Sequence, residues 1–518
     1  MTASPAAPVS STVTSLVQNV DWLAIAPPVI VAVVALVVLV ADLFTKERNK
    51  PLLGWISVAG LAAATLALLP LRAGDRTTFC VVGAPECSYT ADHFALTVQF
   101  LVLGGALLTA LMSITGVKEA GLPAGEYWFL LLSSAAGAAL LPAARDLATL
   151  VVALEVASLP AFALVGIRRG DRRSSEAALK FFLSSVTATA VSLLGVSFVY
   201  ATTGSLHFVR IAEGLEEVPG QLDTLAVVGV ALTLVGFAFK TAAVPFHFWV
   251  PDTYVGAPLP IAGYLSVIGK AVGFTGLILV TVLAFPNYFE VWGAALAVLA
   301  ALTMTIGNAA ALRQSPERPH SAVRLLAWSS VGQAGYLLVP IAAAAYSDRD
   351  QIGATISYAL MYAVVNLGAF AVVALVARSR PSNRIEDYRG LYREHPFAAL
   401  SMAFFLLCLA GLPPGIIGLF AKVVVFRSAV EAGLAWLAVL MAVNVVIALF
   451  YYLRWTALLF KVPTDTTDGV PVDAAEAMAP IRRPGPVTAA LALAACAAVV
   501  LSGAPQIVLR FASGSLFQ

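Results

Sequence analysis

Four charged side chains lie near the middle of long apolar segments of this chain: Glu155, Lys240, Lys270 and Lys422. An ionisable group at the centre of a bilayer costs roughly 2.5–3.5 kcal/mol on insertion scales, so four unpaired groups would cost about 10 kcal/mol. Such groups persist when they pair with one another or line a wet path. The leading hypothesis is that these side chains hold and pass on protons.

The composition is that of a chain embedded in a membrane. Of its 518 residues, 60% are hydrophobic and only 12% are charged, about half the charged fraction of a soluble domain. Apolar runs of about 20 residues recur along nearly the whole length. We predict an all-α polytopic membrane protein with about fourteen transmembrane helices. The longest polar stretches, at about 72–92, 202–221, 378–396 and 461–484, are expected to be loops.

Lysine and arginine are concentrated in alternate predicted loops, and this asymmetry indicates orientation. The first, third, fifth, ninth, eleventh and thirteenth loops are basic, whereas the even-numbered loops carry fewer positive charges. Cytoplasmic loops of membrane proteins carry the excess of positive charge. We therefore expect the odd-numbered loops in the cytoplasm and both termini on the outer side of the cell membrane.

The seventh predicted helix carries Lys240 five residues before Pro245. Proline breaks or kinks a helix because it lacks a backbone donor and clashes with the preceding turn. The freed carbonyls should face Lys240 with the negative end of a half-helix. Glu155 is the expected partner, and such a pair at contact is worth about 4 kcal/mol at an effective dielectric constant near 20. The pair could switch the proton occupancy of Lys240, or it could be a static ion pair that fixes helix packing.

The remaining candidates differ in how deep they lie. Lys270 is too central in its helix to reach the surface easily, and Lys422 follows the second proline break by about two turns, so both are predicted proton relays. Lys180 follows the basic fifth loop closely and could either extend to the cytoplasmic face or take part in the core. His247 lies beside the first break, where it could relay protons or make a structural hydrogen bond to the broken backbone.

The cysteines offer one candidate disulfide. Cys80 and Cys87 share the second predicted loop, where the outer compartment would allow a bridge between them; two free thiols are the alternative. No cysteine spacing matches a zinc or iron–sulfur site, and the chain lacks a nucleotide fingerprint and a haem attachment pair. We expect no metal and no bound cofactor in this chain.

The predicted helices also repeat. Helices four to eight and nine to thirteen each form a block of five, and the fourth member of each block is broken by proline and carries a central lysine. An odd-numbered repeat must alternate its orientation, so the blocks would be inverted copies, as in many transporters. The predicted units are 1–126 (helices one to three), 127–284 (first repeat), 289–460 (second repeat) and 461–518 (a loop and helix fourteen).

These same segments resemble the antiporter-like subunits of respiratory complex I. The resemblance covers helices four to thirteen and is most specific in KTAAVPFHFWVPDTYVGAPLPIAGYLSVIGKAVGF, from Lys240 to Phe274. Further matching segments are LEVASLPAF (154–162), EAALKFF (176–182), RLLAWSSVGQAGYLL (324–338) and LAGLPPGIIGLFAKVVVF (409–426). The family includes subunits of multisubunit Na+/H+ antiporters. Within complex I, the chain is most similar to the N-type subunit, because it has a lysine at 422 and ends soon after helix fourteen.

The resemblance implies a proton-translocating membrane subunit of NADH:quinone oxidoreductase. Glu155 and Lys240 would form the coupling pair, Lys270 the central relay and Lys422 the exit-side site. FMN, iron–sulfur clusters, NADH and quinone would belong to partner subunits, and the chain would contact the other membrane-arm and peripheral-arm subunits, lipid and protons but no nucleic acid. Two positions depart from the family pattern: Gln333 replaces a histidine, so that water must carry the path there, and Val255 replaces a glutamate.

Two other functions remain open from the sequence. A subunit of a Na+/H+ antiporter would use the same lysines but would be driven by ion gradients. A structural subunit would use the buried charges only to fix assembly.

Overall fold

The computed structural model describes residues 20–81, 86–347, 349–462, 485–512 and 516–517. Both termini and nearly all of the predicted loop 461–484 therefore lie outside the described residues. The helices are α1 Ala26–Phe44, α2 Pro51–Leu66, α3 His93–Glu119, α4 Ala124–Leu140, α5 Leu147–Val165, α6 Arg172–Thr203, α7 Phe208–Glu216, α8 Asp223–Thr241, α9 Val250–Gly256, α10 Leu259–Tyr264, α11 Lys270–Ile278, α12 Phe289–Leu312, α13 Ser321–Ala343, α14 Ile352–Val376, α15 Leu391–Glu394, α16 Pro396–Ala410, α17 Ile416–Glu431, α18 Ala435–Phe460, α19 Gly485–Gly503 and α20 Gln506–Leu509. Two strands, β1 Arg76–Cys80 and β2 Cys87–Ala91, form an antiparallel hairpin.

The transmembrane architecture agrees with the predicted helical bundle. Within the described residues, 13 helical stretches are long and apolar enough to cross a membrane. The predicted twelfth helix is the exception, because it is divided into α16 and α17. The continuous stretch at 259–284 contains two π-helical turns, Leu265–Gly269 and Leu279–Ala284. The division into units at 127–284 and 289–460, and their inverted relation, stay predictions.

Both predicted proline breaks are present, at equivalent places in the two blocks. The first separates α8 from α9, and the second separates α16 from α17. Each half-helix is followed by a residue in the left-handed region, Ala242 (φ 65°) and Gly411 (φ 83°). A left-handed residue at this point ends the helix and turns the chain aside. The breaks therefore lie immediately beside the predicted lysine sites.

The second break depends on a close approach of two backbones. A Cβ atom placed on Gly418 would lie 1.8 Å from the carbonyl oxygen of Cys408. Gly418 therefore allows the first turn of α17 to pack directly against the end of α16. This approach determines where the side chain of Lys422, one turn later, can reach.

We expect Gly418→Ala to destabilise the protein by about 3 kcal/mol, the upper end of overpacking effects, because neither backbone can move freely. Thermal unfolding in detergent measures the loss. Gly503→Ala is the matched control, since a Cβ atom there meets nothing within 4 Å. Equal unfolding temperatures for the two variants would contradict the packing argument.

Basic side chains of distant loops meet at one end of the bundle. Arg378 after α14 pairs with Glu119 at the end of α3, and Arg173 at the start of α6 donates to His320 before α13 (2.8 Å). We call this end the basic face. It is the end that the charge pattern predicts to be cytoplasmic.

The opposite end carries the hairpin, and we call it the hairpin face. Cys80 lies opposite Cys87 in the strand pairing, and their sulfur atoms form a disulfide. The sequence predicts loops at both 72–92 and 202–221, and this prediction is wrong for the parts of each that form regular elements. The second of these holds α7, which buries Phe208, Ile211 and Leu215 along one side. The spacing of these three apolar residues is that of one face of a helix, so α7 could have been predicted from the sequence.

Candidate functional site: a row of buried lysines

Lys240 is the last but one residue of α8 and is 5% exposed. Its Nζ donates a hydrogen bond to Ser185 Oγ of α6 (2.9 Å). The ring centroids of Phe162, Phe181 and Phe239 lie 4.9–5.8 Å from Nζ. Aromatic faces at this distance attract a cation. The site can therefore hold a charged ammonium group in an otherwise apolar region.

Glu155 approaches Lys240 through α6 and not by direct contact. Its Oε1 accepts a hydrogen bond from Thr189 Oγ1 (2.8 Å), and Thr189 lies one turn beyond Ser185 on α6. Within the described residues, Glu155 and Lys240 do not form an ion pair, which would require a carboxylate oxygen within 4.0 Å of Nζ. The contact energy expected from the sequence therefore does not apply to this geometry, and the two groups interact across one helical turn.

The carbonyl groups freed by a helix break bind a different lysine from the one expected. Lys422 Nζ donates to the carbonyl oxygens of Leu409 (2.7 Å) and Ala410 (2.8 Å), the last two residues of α16. These carbonyls form the negative end of the half-helix and stabilise a cation. Lys240 instead has a serine partner. The prediction that the freed carbonyls face Lys240 is therefore wrong, and this arrangement occurs at the second break, with Lys422.

Lys270 is completely buried at the start of α11, directly after a π-helical turn. Its Nζ donates to the carbonyl oxygen of Ser330 in α13. The Ser330 hydroxyl accepts a hydrogen bond from Tyr362 (2.9 Å) and lies 3.5 Å from the hydroxyl of Tyr254. Hydroxyl groups thus lie beside the residue whose carbonyl group binds Lys270, and none of the ion pairs within the described residues includes this lysine.

A small cavity separates Lys240 from the turn that precedes Lys270. It measures 20 Å³ and is lined by Lys240, Ser158, Tyr264 and Gly269, among others. A cavity of this size has room for about one water molecule, whose polar partners in an otherwise apolar wall would be Lys240, Ser134 and Ser158. The Tyr264 hydroxyl lies 2.9 Å from Ser134 Oγ on the same wall. The cavity therefore offers room for one water molecule between Lys240 and the π-helical turn that precedes Lys270.

The helix α13 continues the row from Lys270 to Lys422. Lys422 Nζ lies 5.6 Å from the ring centroid of Tyr336, six residues after Ser330, which is about 9 Å along the helix axis. Gln333 lies between them: its Oε1 accepts from Tyr358, and its Nε2 donates to the Tyr452 hydroxyl (3.1 Å). Two tyrosine hydroxyls thus accompany the glutamine where the sequence suggested only water.

Two predicted candidates lie outside this row. The Lys180 side chain is about half exposed at the basic face, where it pairs with Glu176 (2.7 Å) and Asp252 (2.9 Å). His247 is half-buried in the turn after the first break, and its ring packs against Trp328 (centroids 5.5 Å apart). No hydrogen bond among the described residues joins either side chain to the three buried lysines.

Asp252 and Glu176, the ion-pair partners of Lys180, line a polar cleft of 240 Å³ that lies between α6 and α13. Asp252 also pairs with Arg324 of α13 (3.4 Å) and so connects the two blocks. Burial and the charges of Arg173 and Arg324 lower the pKa of His320, so its neutral Nε2 accepts from Arg173. Val255, the departure noted in the sequence, is part of the lining of this cleft.

The structure adds residues that sequence reasoning missed. They are hydroxyl and amide side chains in apolar helices: the buried Ser185, Tyr254, Asn308, Ser330, Tyr358, Tyr362 and Tyr452, and the partly buried Thr189. Polar residues inside membrane spans are a recognisable signal, but serine and threonine also bond to their own helix. Within the described residues, no group of three or more His, Cys, Asp or Glu side chains is placed to hold a metal ion.

Comparisons with known proteins give a consistent result. Residues 144–448 match the family model described as NADH:quinone oxidoreductase/Mrp antiporter, TM. The chain is 72% identical over 512 residues to NADH-quinone oxidoreductase subunit N 2 of Streptomyces griseus subsp. griseus, covering 97% of this chain and 95% of that protein. It is 44% identical to subunit N of Salinispora tropica, covering 96% of this chain and 100% of the relative.

Solved structures show the same architecture. A chain of respiratory complex I from Thermus thermophilus with bound aureothin is 31% identical with a TM-score of 0.74, covering 94% of this chain and 100% of that one. A chain of the Mrp complex from Dietzia sp. is 23% identical with a TM-score of 0.80, covering 95% and 96%. The second likeness concerns the fold alone.

Proposed function

Because the chain belongs to the antiporter-like subunit N family of NADH:quinone oxidoreductase, we propose that it carries protons across the membrane while partner subunits transfer electrons. The observation that supports this most directly is the row of three buried lysines, Lys240, Lys270 and Lys422, with buried hydroxyl side chains among them in an apolar bundle. NADH, FMN, iron–sulfur clusters and quinone are assigned to partner subunits of the complex.

Glu155 is the proposed point where the neighbouring subunit acts. Its side chain is partly exposed in the middle of α5, on a surface where Val152 and Leu159 are 58% and 52% exposed. A carboxylate facing lipid at that depth would cost roughly 2.5–3.5 kcal/mol. A partner subunit that covers this surface would remove the cost and could alter the charge that Lys240 experiences across α6.

The proton would then move in short steps along the row. Lys240 releases it through the water-sized cavity toward Lys270, and the hydroxyl groups around Ser330 and the tyrosines beside Gln333 lead to Lys422. Each lysine can hold the proton because a hydroxyl, a carbonyl or an aromatic face stabilises its charged form. Moving one charge against 100 mV costs about 2.3 kcal/mol, which a change of one buried ionic interaction can supply.

We expect Gln333→Leu to lower NADH-driven proton translocation about tenfold, because loss of the amide leaves the buried hydroxyl of Tyr358 without its acceptor, at about 1–3 kcal/mol, and leaves Tyr452 with Ser329 but without the amide donor. Gln333→His should preserve most of the activity, since imidazole can also carry a proton. Proton uptake by vesicles containing the intact complex measures both. If the leucine variant pumps like the parent, Gln333 and its tyrosines lie off the path.

The orientation follows from the charge pattern. The basic face is proposed to be cytoplasmic and the hairpin face, with its disulfide, external, in the plasma membrane of the cell. Access of a membrane-impermeant thiol reagent to cysteines introduced at Lys118 and Thr77 would test this assignment. If the cysteine at position 118 were labelled from outside intact cells, the assigned orientation would be reversed.

The alternative function is a subunit of a multisubunit Na+/H+ antiporter, for which the Mrp-like fold is the relevant observation. Purification of the tagged chain from native membranes in mild detergent distinguishes the two. Recovery with flavin and iron–sulfur subunits and NADH:quinone activity supports the proposed function. Recovery with only small membrane subunits, together with sodium-dependent transport that ignores NADH, would establish the antiporter.

A further inference from the structure

A second cavity, unrelated to the lysine row, opens at the basic face. It has a volume of 300 Å³ and lies between the ends of α3, α4, α10 and α14. Glu119 ends α3 and Leu259 begins α10, so the cavity lies at the level where the bundle leaves the membrane. We call it the rim cavity.

The polar part of the rim cavity carries an excess of positive charge. Arg168 and Arg378 line it, and Glu119 is the carboxylate among its lining residues. Glu119 pairs with Arg378, yet the Nε of Arg378 is buried and has no hydrogen-bond partner among the described residues. The ion pair of Arg168 in the same part of the chain is a distant one, 4.0 Å from Asp171. The guanidinium group of Arg168 and the second terminal nitrogen, Nη1, of Arg378 have no hydrogen-bond partner among the described residues, so both arginines have donors available for an anion.

The rest of the cavity wall is apolar and open. Met112, Val117 and Leu122 line it, and a Cβ atom added to Gly116 would meet nothing within 4 Å. An anion that is small and fully hydrated would gain nothing from such a wall. A molecule with a phosphate group at one end and hydrocarbon at the other would satisfy both parts.

We propose that the rim cavity binds the head group of an anionic phospholipid, with its phosphate held by Arg168 and Arg378 and its acyl chains against α3. Guanidinium groups bind phosphate oxygens through paired hydrogen bonds, and basic pockets between transmembrane helices on the cytoplasmic side bind anionic lipid head groups. Free phosphate has the same anionic chemistry, but the apolar wall and the depth of the cavity favour the lipid.

The test uses the intact complex in membranes that contain photoactivatable phosphatidylglycerol, with crosslinked peptides identified by mass spectrometry. We expect labelling of the segment 112–122. Arg168→Gln should lower this labelling about fivefold, the effect of one arginine near an anionic surface. Gly116→Leu should lower it as well, by filling the space without changing any charge. Arg169→Gln is the matched control, because Arg169 is exposed and does not line the cavity.

The outcomes separate the possible occupants. Weak labelling by photoactivatable phosphatidylcholine supports recognition of an anionic head group. Equal labelling of this segment in the parent and in all three variants would overturn the proposal. Loss of labelling when inorganic phosphate is added would show that the site takes free phosphate, and would overturn the assignment to lipid. The test does not depend on proton translocation, since labelling is measured in the resting complex.

Discussion

Lys240→Met should reduce NADH-driven proton translocation by about a hundredfold while the complex remains assembled. The lysine is 5% exposed, and its site is surrounded by aromatic rings. Without a side chain that can take the proton, a charge at this depth costs roughly 3 kcal/mol, which corresponds to about a hundredfold in rate. Methionine has a similar length and packs well against aromatic rings, so folding should be preserved.

Two further variants give the Lys240 experiment its interpretation. Lys240→Arg retains the positive charge but cannot release a proton at physiological pH, so a static ion pair would tolerate it and a relay would not. Lys46→Met removes an exposed lysine and should leave translocation unchanged. Proton uptake by vesicles and NADH oxidation are measured on the same samples. Normal pumping by Lys240→Met would refute the relay, and loss of assembly would favour a structural role.

Lys270→Met should cause a loss of similar size, and the double variant with Lys240→Met should be no worse than either single variant. Lys270 is fully buried, and its Nζ donates to a backbone carbonyl of α13. Residues that act in series on one path give strongly non-additive effects. If the residues instead served two parallel routes, each single variant would retain part of the activity and the double variant would lose the rest.

The stability of the Lys270 variant provides an internal check. A buried ammonium group pays a desolvation penalty, so replacing it with methionine should leave the unfolding temperature unchanged or raise it. Lys118→Met, at an exposed position of the basic face, is the control for the substitution itself. A large fall in unfolding temperature for Lys270→Met alone would indicate that the lysine holds the helices together.

The proposed path also explains why the departure at Gln333 is tolerated. An amide does not take up a proton readily, but Gln333 fixes the hydroxyl groups of Tyr358 and Tyr452. Tyrosine hydroxyls both donate and accept. In place of the histidine that the family resemblance implies, the proposed path would use three side chains, one from α13, one from α14 and one from α18.

The sequence by itself determined the membrane-spanning helices, the two breaks and the depth of the four charged residues. Hydropathy and proline act within a few residues along the chain, so the breaks near Pro245 and Pro413 could be located without a structure. The family resemblance added the proposed function of each lysine, and those functions stay predictions. The position of Lys180 near the surface was also open to sequence reasoning, as one of two alternatives.

Only the tertiary structure decided which groups touch. Lys240 meets Ser185, 55 residues away, and not Glu155, while the freed carbonyls of a break face Lys422. The rim cavity likewise brings together Glu119 and Arg378, 259 residues apart. Such contacts depend on how helices that are distant in sequence pack and rotate against one another. A shift of one turn, about 5.4 Å, changes every partner and leaves the hydropathy pattern the same.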